Sequence, residues 1–197
     1  MDTKLTGKTR IESDLIGARE IPAEALYGVQ TLRGIENFSI SKFRLSEYPL
    51  FIKGLAITKM AAAMANFELG LLTVEQKDAI IAACGEILDG KHHDQFPVDM
   101  IQGGAGTTTN MNANEVIANR ALELMGHERG EYQYCSPNDH VNCSQSTNDA
   151  YPTAIHIGMY FKHLQLLPHL EELIASFRKK GEEFSQIIKM GRTQLED

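Results

Sequence analysis

The fold is decided by residues 153–188, TAIHIGMYFKHLQLLPHLEELIASFRKKGEEFSQII, which read as one long helix. Apolar or small residues recur there every three or four positions, at Tyr160, Leu164, Leu167, Leu170, Ile174, Phe177, Gly181, Phe184 and Ile188. This spacing is typical of a packed bundle helix, and about 35 residues is far above the mean helix length of about 11–12. Pro168 is expected to kink the helix against the carbonyl of Leu164 or to divide it. So long an apolar seam predicts either oligomerisation or a longer chain, and we favour both.

Shorter helical patterns come before this segment. They follow Pro22, Pro49 and the capping box TVEQ at 73–76, and a further one ends at Gly126. Residues 1–20 are expected to form an extended arm and 127–152 a polar loop, and no strand alternation is visible. The sequence therefore predicts an all-α fold, with an N-terminal helical domain over 1–145. Residues 146–197 are expected to be the start of a second helical domain.

The composition is that of an ordinary globular protein, with 197 residues, 43% apolar residues and a net charge of −7. The negative charge argues against nucleic acid as the main partner. Three cysteines, with no CxxC spacing, indicate reduced thiols and a cytoplasmic protein. The N-terminus lacks a signal-peptide pattern, and every apolar stretch is interrupted short of a membrane span.

Three clusters of uncharged hydrogen-bonding residues lie beside helix ends. They are GGAGTTTNMNANE at 103–115, SQSTNDAYPT at 144–153 and GRTQ at 191–194. The first cluster lacks the lysine of a phosphate-binding P-loop and the third glycine of a dinucleotide fingerprint. Each cluster alone could simply cap a helix or form a turn. Together they predict a pocket that grips a carboxylate with neutral donors and helix N-termini.

Other candidate residues have simpler explanations. His92, His93 and Asp94 resemble metal ligands, but adjacent side chains diverge and a solvated loop explains them better. His140, next to Asp139 in the polar loop, is equally compatible with a functional role and with a structural hydrogen bond. Cys143 is expected to be a packed thiol. The sequence indicates no metal cluster and no cofactor motif.

The segments DQFPVD, GGAGTTTNMNANEVIANRALELMG, GEYQY, PNDHVNCSQSTNDAYPT and KMGRTQL together resemble the aspartase/fumarase superfamily. The resemblance covers essentially the whole chain. Fumarases typically have a GSGTQ-type loop, SSND in the second cluster and histidine after the GRT threonine. This sequence has GGAGT, STND and Gln194, and so is more similar to the aspartase branch.

This resemblance implies the N-terminal part of an all-α homotetramer whose long helices form a central bundle. It also implies reversible conversion of L-aspartate to fumarate and ammonia without a cofactor, through removal of the C3 proton. The implied substrate contacts are Thr107, Ser146, Thr147, Asn148 and Thr193, with Gln194, Asn110 and His140 as further candidates. Thr107, Ser146 and Thr147 would hold the β-carboxylate, and Asn148 and Thr193 would lie near the amino group.

The catalytic base, a serine on a mobile loop in this family, is expected beyond Asp197, so no catalytic residue is assigned within this chain. The isolated chain is therefore expected to be inactive. Two alternatives remain open at this point: a fumarate hydratase of the same superfamily, and a non-catalytic helical module that binds carboxylates or assembles with partners.

Overall fold

The computed structural model describes residues 7–102, 104–189, 191 and 195. Its strands and helices are β1 (Thr9–Asp14), β2 (Gly17–Pro22), α1 (Val29–Asn37), α2 (Pro49–Glu68), α3 (Val74–Leu88), α4 (Thr107–Leu124) and α5 (Thr147–Glu183). Short 3-10 turns cover Leu45–Glu47 and His93–Gln95, and a π-helical turn covers Pro137–Val141. The fold is helical, as the sequence predicts. The described residues form two compact units, one up to Met159 and one from Tyr160 onward. The domain boundary at 145/146 stays a prediction.

A β-hairpin occupies most of the segment that was expected to be an extended arm. β1 and β2 pair antiparallel, with Thr9 opposite Pro22 and Asp14 opposite Gly17. The Asp14 carboxylate closes the turn by accepting hydrogen bonds from the backbone N–H groups of Ile16 and Gly17, at 2.9 and 3.1 Å. The expectation of no strands was wrong here, because the strands are short and their mixed polar residues show no clean alternation.

Helix α1 begins at Val29, later than the sequence pattern suggests. The Arg10 guanidinium binds the carbonyls of Pro22, Ala25 and Tyr27 at 2.7–3.0 Å and so holds this segment in a non-helical path, in which the Pro22 carbonyl also accepts from the Ala25 N–H at 3.0 Å. The start of α1 is held instead by the buried Glu115 carboxylate, which accepts backbone hydrogen bonds from Gly28, Gln30 and Thr31 at 2.8–3.0 Å. Burial raises the pKa of Glu115, although these hydrogen bonds oppose the rise.

Helices α2, α3 and α4 pack together to form the main core. The predicted capping box of α3 is confirmed, since the Thr73 hydroxyl accepts from the Gln76 N–H and the Gln76 side chain accepts from the Thr73 N–H. The sequence pattern predicts one wide apolar face on α2, made of Phe51, Leu55, Ile57, Met60, Ala61, Met64 and Ala65. This prediction is partly wrong. Ala61, Met64 and Ala65 are exposed, whereas the buried set includes Ile52, Ala56, Lys59, Ala63 and Asn66. A helix that is apolar almost all round carries no clear periodicity to indicate its buried side.

Helix α2 is also, among the described residues, the one helix long and apolar enough to cross a membrane. The expectation that every apolar stretch stops short of a span was therefore wrong for this helix. A helix buried in a protein core meets the same criterion, and the side chains of Ile52 and Leu55 lie in the main core.

The first turns of α5 pack closely against α2. A Cβ atom on Gly54 would lie 2.2 Å from the carbonyl oxygen of Ala154, so the two helices approach to a distance that only glycine permits at this point.

Helix α5 begins and ends earlier in the sequence than predicted, and of the two outcomes expected at its proline, division does not occur. It begins at Thr147 rather than Thr153, because Ser146 starts the helix by accepting the Asn148 N–H on its hydroxyl at 3.1 Å and the Ala150 N–H on its carbonyl at 3.0 Å. The helix continues through Pro168 instead of dividing. The carbonyl that loses its partner, on Leu164, lies on an exposed turn that water can solvate.

Candidate functional site

A cleft of about 550 Å³ lies between the loop that precedes α4 and the first turns of α5. Its walls are formed by Met100, Ile101, Gln102, Ala105, Gly106, Asn148, Tyr151 and Pro152. The cleft therefore brings the first predicted polar cluster next to the second, although residues 116–143 separate them in the sequence.

The loop reaches this position through three consecutive left-handed residues, Gly104, Ala105 and Gly106, with φ angles of 74°, 51° and 90°. A Cβ atom on Gly106 would lie 2.4 Å from the ring of Tyr151, so glycine is needed here both for its backbone angle and for the contact. Gly106 caps α4 without a side chain. The threonines after it therefore form the first turn of the helix rather than its cap.

Gln102 fixes the other end of the loop. Its side-chain oxygen accepts a hydrogen bond from the backbone N–H of Thr109 at 2.9 Å, and its amide nitrogen donates to the Thr109 hydroxyl. The buried Asp99 carboxylate fixes the residues just before Gln102. It accepts hydrogen bonds from the N–H and hydroxyl of Ser41 and from the Ile101 N–H, at 2.6–2.7 Å. Neither residue is among the predicted contacts, because a single Gln or Asp in a loop gives no sequence signal of this role.

The predicted contact residues differ in their surroundings. Thr107 is exposed and its hydroxyl donates to the Gly104 carbonyl at 2.7 Å. Ser146 and Asn148 are exposed at the start of α5, and Asn148 lines the cleft. Thr147 is half-buried, and its hydroxyl accepts a hydrogen bond from the Asn110 amide at 3.2 Å. This bond joins the first polar cluster directly to the second.

A buried polar network lies behind Asn110 and Thr147. The side-chain oxygen of Asn142 accepts from the Lys59 ammonium at 2.9 Å, from the Asn110 amide at 3.0 Å and from the Asn114 amide at 3.2 Å. The Lys59 ammonium also donates to the side-chain oxygen of Gln145 at 3.0 Å. Sequence reasoning missed Lys59, Asn142 and Gln145. A lone lysine within the apolar run GLAITKMAAAMA was the one available hint of a buried cation.

The electrostatics of Lys59 are unusual because its ammonium is fully buried among neutral partners. Burial lowers the pKa of Lys59 to about 7. Burial likewise raises the pKa of the nearby Cys84 thiol to about 12, so Cys84 is neutral at pH 7 and supplies no counter-charge.

His140 lies apart from this group, in the π-helical turn Pro137–Val141. Its Nδ1 accepts a hydrogen bond from the Ser136 N–H at 2.7 Å, and burial lowers its pKa, opposed by Asp139. Its Nε2 lies 3.2 Å from the side-chain nitrogen of Gln76 on α3, so its contacts shape the turn and hold it against that helix. Thr193 and Gln194, from the third cluster, lie outside the described residues. Among the residues that are described, no group of three His, Cys, Asp or Glu side chains is placed to hold a metal ion.

Comparison with known proteins gives concordant results. The profile of a protein family described as "Lyase" matches residues 17–197. The chain is 59% identical over 188 residues to an aspartate ammonia-lyase of Pseudomonas canavaninivorans, covering 95% of this chain and 40% of that protein. It is 56% identical over 194 residues to an aspartate ammonia-lyase of Escherichia coli K12, covering 98% and 41%. The chain thus spans about 40% of the length of the curated relatives it matches.

Two solved structures with similar sequences superpose closely on this chain. A fumarate lyase:delta crystallin from Brucella melitensis superposes with a TM-score of 0.91 at 53% identity, over 96% of this chain and 41% of that one. A class II fumarase from Schistosoma mansoni superposes with a TM-score of 0.86 at 38% identity, over 95% and 40%.

Proposed function

The chain belongs to the lyase family whose profile matches its residues 17–197, and we propose that it contributes to an enzyme that reversibly deaminates L-aspartate to fumarate. The observation that carries the proposal is 56–59% identity to proteins named aspartate ammonia-lyase over 95–98% of this chain. Identity to the class II fumarase is lower, at 38%.

The chemistry proposed is an elimination. A base removes a proton from C3 of aspartate, the electron pair forms the C2–C3 double bond, and the bond from C2 to nitrogen breaks to release ammonia. Before the bond from C2 to nitrogen breaks, the electron pair left on C3 is delocalised into the adjacent carboxylate, which then carries a second negative charge. Fixed hydroxyl, amide and backbone N–H donors stabilise such an oxyanion because they need no reorganisation as the charge develops.

We assign Thr107, Ser146 and Thr147 to that β-carboxylate, and Asn148 and Thr193 to the region of the amino group. The hydrogen bond from the Asn110 amide to the Thr147 hydroxyl supports the first assignment, and the position of Asn148 in the wall of the cleft supports the second. We further propose that the base comes from a part of the protein that this chain does not include. Reduced cysteines support a cytoplasmic location, since Cys84, Cys135 and Cys143 are all unpaired.

The proposal also includes a homotetramer in which neighbouring subunits complete each active site. In its favour, α5 exposes a long row of apolar side chains from Tyr160 onward, including Leu164, Leu170, Ile174 and Phe177. An exposed apolar row of this length is typical of a helix that packs in an assembly.

The test is a pair of reactions with the full-length protein. We expect absorbance of fumarate to rise when L-aspartate is supplied, and to fall when fumarate and ammonium are supplied together. A protein that consumes fumarate equally well without ammonium would be a hydratase instead. Binding of succinate with no turnover of either substrate would indicate a carboxylate-binding module and would refute the proposal.

A further inference from the structure

In its ammonium form Lys59 fixes the hydrogen-bonding polarity of the amides around it, and the Gln145 carbonyl fixes Asn142 in the same sense by accepting from its side-chain NH₂ at 3.0 Å. An ammonium group has three donors and no acceptor. The side-chain atom of Asn142 that lies 2.9 Å from it must therefore be the oxygen, and the same holds for the Gln145 atom at 3.0 Å.

The position of the Asn142 oxygen then determines how the side-chain amides of Asn110 and Asn114 are oriented. Asn110 and Asn114 both approach the Asn142 oxygen, at 3.0 and 3.2 Å, so each must present its NH₂ group. The opposite orientation would bring two acceptor oxygens together. As a consequence the side-chain oxygens of Asn110 and Asn114 are buried without a hydrogen-bond partner.

The polarity ends at the substrate-facing hydroxyl. The Asn110 NH₂ group that faces Asn142 also donates to the Thr147 hydroxyl oxygen, at 3.2 Å. Because Thr147 accepts this bond, its own hydrogen points elsewhere and can be donated to an anion. If Asn110 were turned over, Thr147 would have to donate its hydrogen to the Asn110 oxygen, and would present only lone pairs to a carboxylate.

We infer that Lys59 is a positioning residue: acting through two buried amides, it keeps the hydroxyl hydrogen of Thr147 free to bind a substrate carboxylate. The inference rests on the proposed function, which makes Thr147 a contact of the β-carboxylate. It explains why a fully buried lysine has neutral oxygens rather than a carboxylate as its hydrogen-bond acceptors. A carboxylate beside Lys59 would stabilise the charge but would also repel a dianionic substrate nearby.

The experiment is a double-mutant cycle in the full-length enzyme, with Lys59→Met, Thr147→Val and the double variant. Lys59→Met is expected to lower kcat/KM for L-aspartate about 10- to 100-fold and to lower Tm as well, since the Gln145 side-chain oxygen loses its hydrogen bond from Lys59. Thr147→Val is expected to lower kcat/KM about 10²- to 10³-fold. In the Thr147→Val background, Lys59→Met should change the rate less than about twofold. Lys53→Met, on the same helix but outside the network, is the matched control and should leave the rate unchanged.

The outcomes separate the inference from the function on which it rests. If Lys59→Met lowers the rate equally in both backgrounds, Lys59 does not act through Thr147 and the inference is overturned, while the proposed function stands. If Thr147→Val alone leaves kcat/KM unchanged, the substrate assignment itself is wrong. Should Lys59→Met fail to fold, Asn110→Leu interrupts the same series of hydrogen bonds between Asn142 and Thr147. Its effect on kcat/KM must also disappear in the Thr147→Val background.

Discussion

The Cβ position of Gly106 lies 2.4 Å from the ring of Tyr151, which packs the start of α4 directly against the first turns of α5. We expect Gly106→Ala to destabilise the protein by about 2–4 kcal/mol, because it combines a left-handed backbone angle with overpacking. Thermal unfolding measures the loss. Gly126→Ala is the matched control, since Gly126 has a similar φ of 81° and open space at its Cβ. An equal effect of the two substitutions would show that the ring contact is unimportant.

Loss of the proposed carboxylate donors should affect rate more than folding. In the full-length protein we expect Thr107→Val and Ser146→Ala each to lower kcat about 10²- to 10³-fold. Ser146→Ala should in addition cost about 1 kcal/mol of stability, because its hydroxyl accepts from the Asn148 N–H at the start of α5. Steady-state rates and Tm values separate the two effects.

Thr73→Val provides the control for these two variants. It removes the cap of α3, far along the chain from either cluster, and should lower stability by about 1 kcal/mol with no loss of rate. Normal rates in both Thr107→Val and Ser146→Ala would remove our assignment of the carboxylate site.

Glu86 is expected to make stability depend on acid pH. Its hydrogen bond with Arg120, helped by His92, lowers the Glu86 pKa from its ordinary 4.5 to about 2. A lowered carboxyl pKa means that the unfolded chain binds the proton more tightly. The stabilisation is therefore complete above about pH 4.5 and is lost as pH falls towards 2.

The measurement is the difference in Tm between the protein and its Glu86→Gln variant at pH 7 and near pH 3. The difference should be large at neutral pH and should shrink in acid. Glu68→Gln, which removes an exposed carboxylate at the end of α2, should show no such trend. A Glu86→Gln difference that stays constant with pH would contradict the role given to the ion pair with Arg120.

The isolated 197-residue chain should not convert L-aspartate to fumarate, because the proposed base is not within it. The check is fumarate absorbance with the purified chain at high concentration, alongside the full-length protein as a positive control. Measurable turnover by the chain alone would mean that its own residues supply the base.

The sequence by itself determined the helical class and most helix ends. Gly70, Gly90 and Gly126 follow α2, α3 and α4 with positive φ angles of 73°, 90° and 81°, and the Thr73 capping box is present as predicted. These features are local, because a capping side chain or a left-handed glycine acts within one turn of its own helix. The adjacent residues in the sequence are therefore enough to predict the helix end. The polar clusters were visible for the same reason.

Tertiary structure alone decided how those clusters are supported. Nothing near Lys59 in the sequence indicates that its ammonium lies 2.9 Å from the Asn142 oxygen, 83 positions away, and that this oxygen also orients Asn110 beside Thr147. Likewise Arg10, by binding the carbonyls of Pro22, Ala25 and Tyr27, holds the chain before α1 in a non-helical path against the local helical pattern. Both effects depend on side chains that reach between elements distant in the sequence, and local propensity carries no information about such contacts.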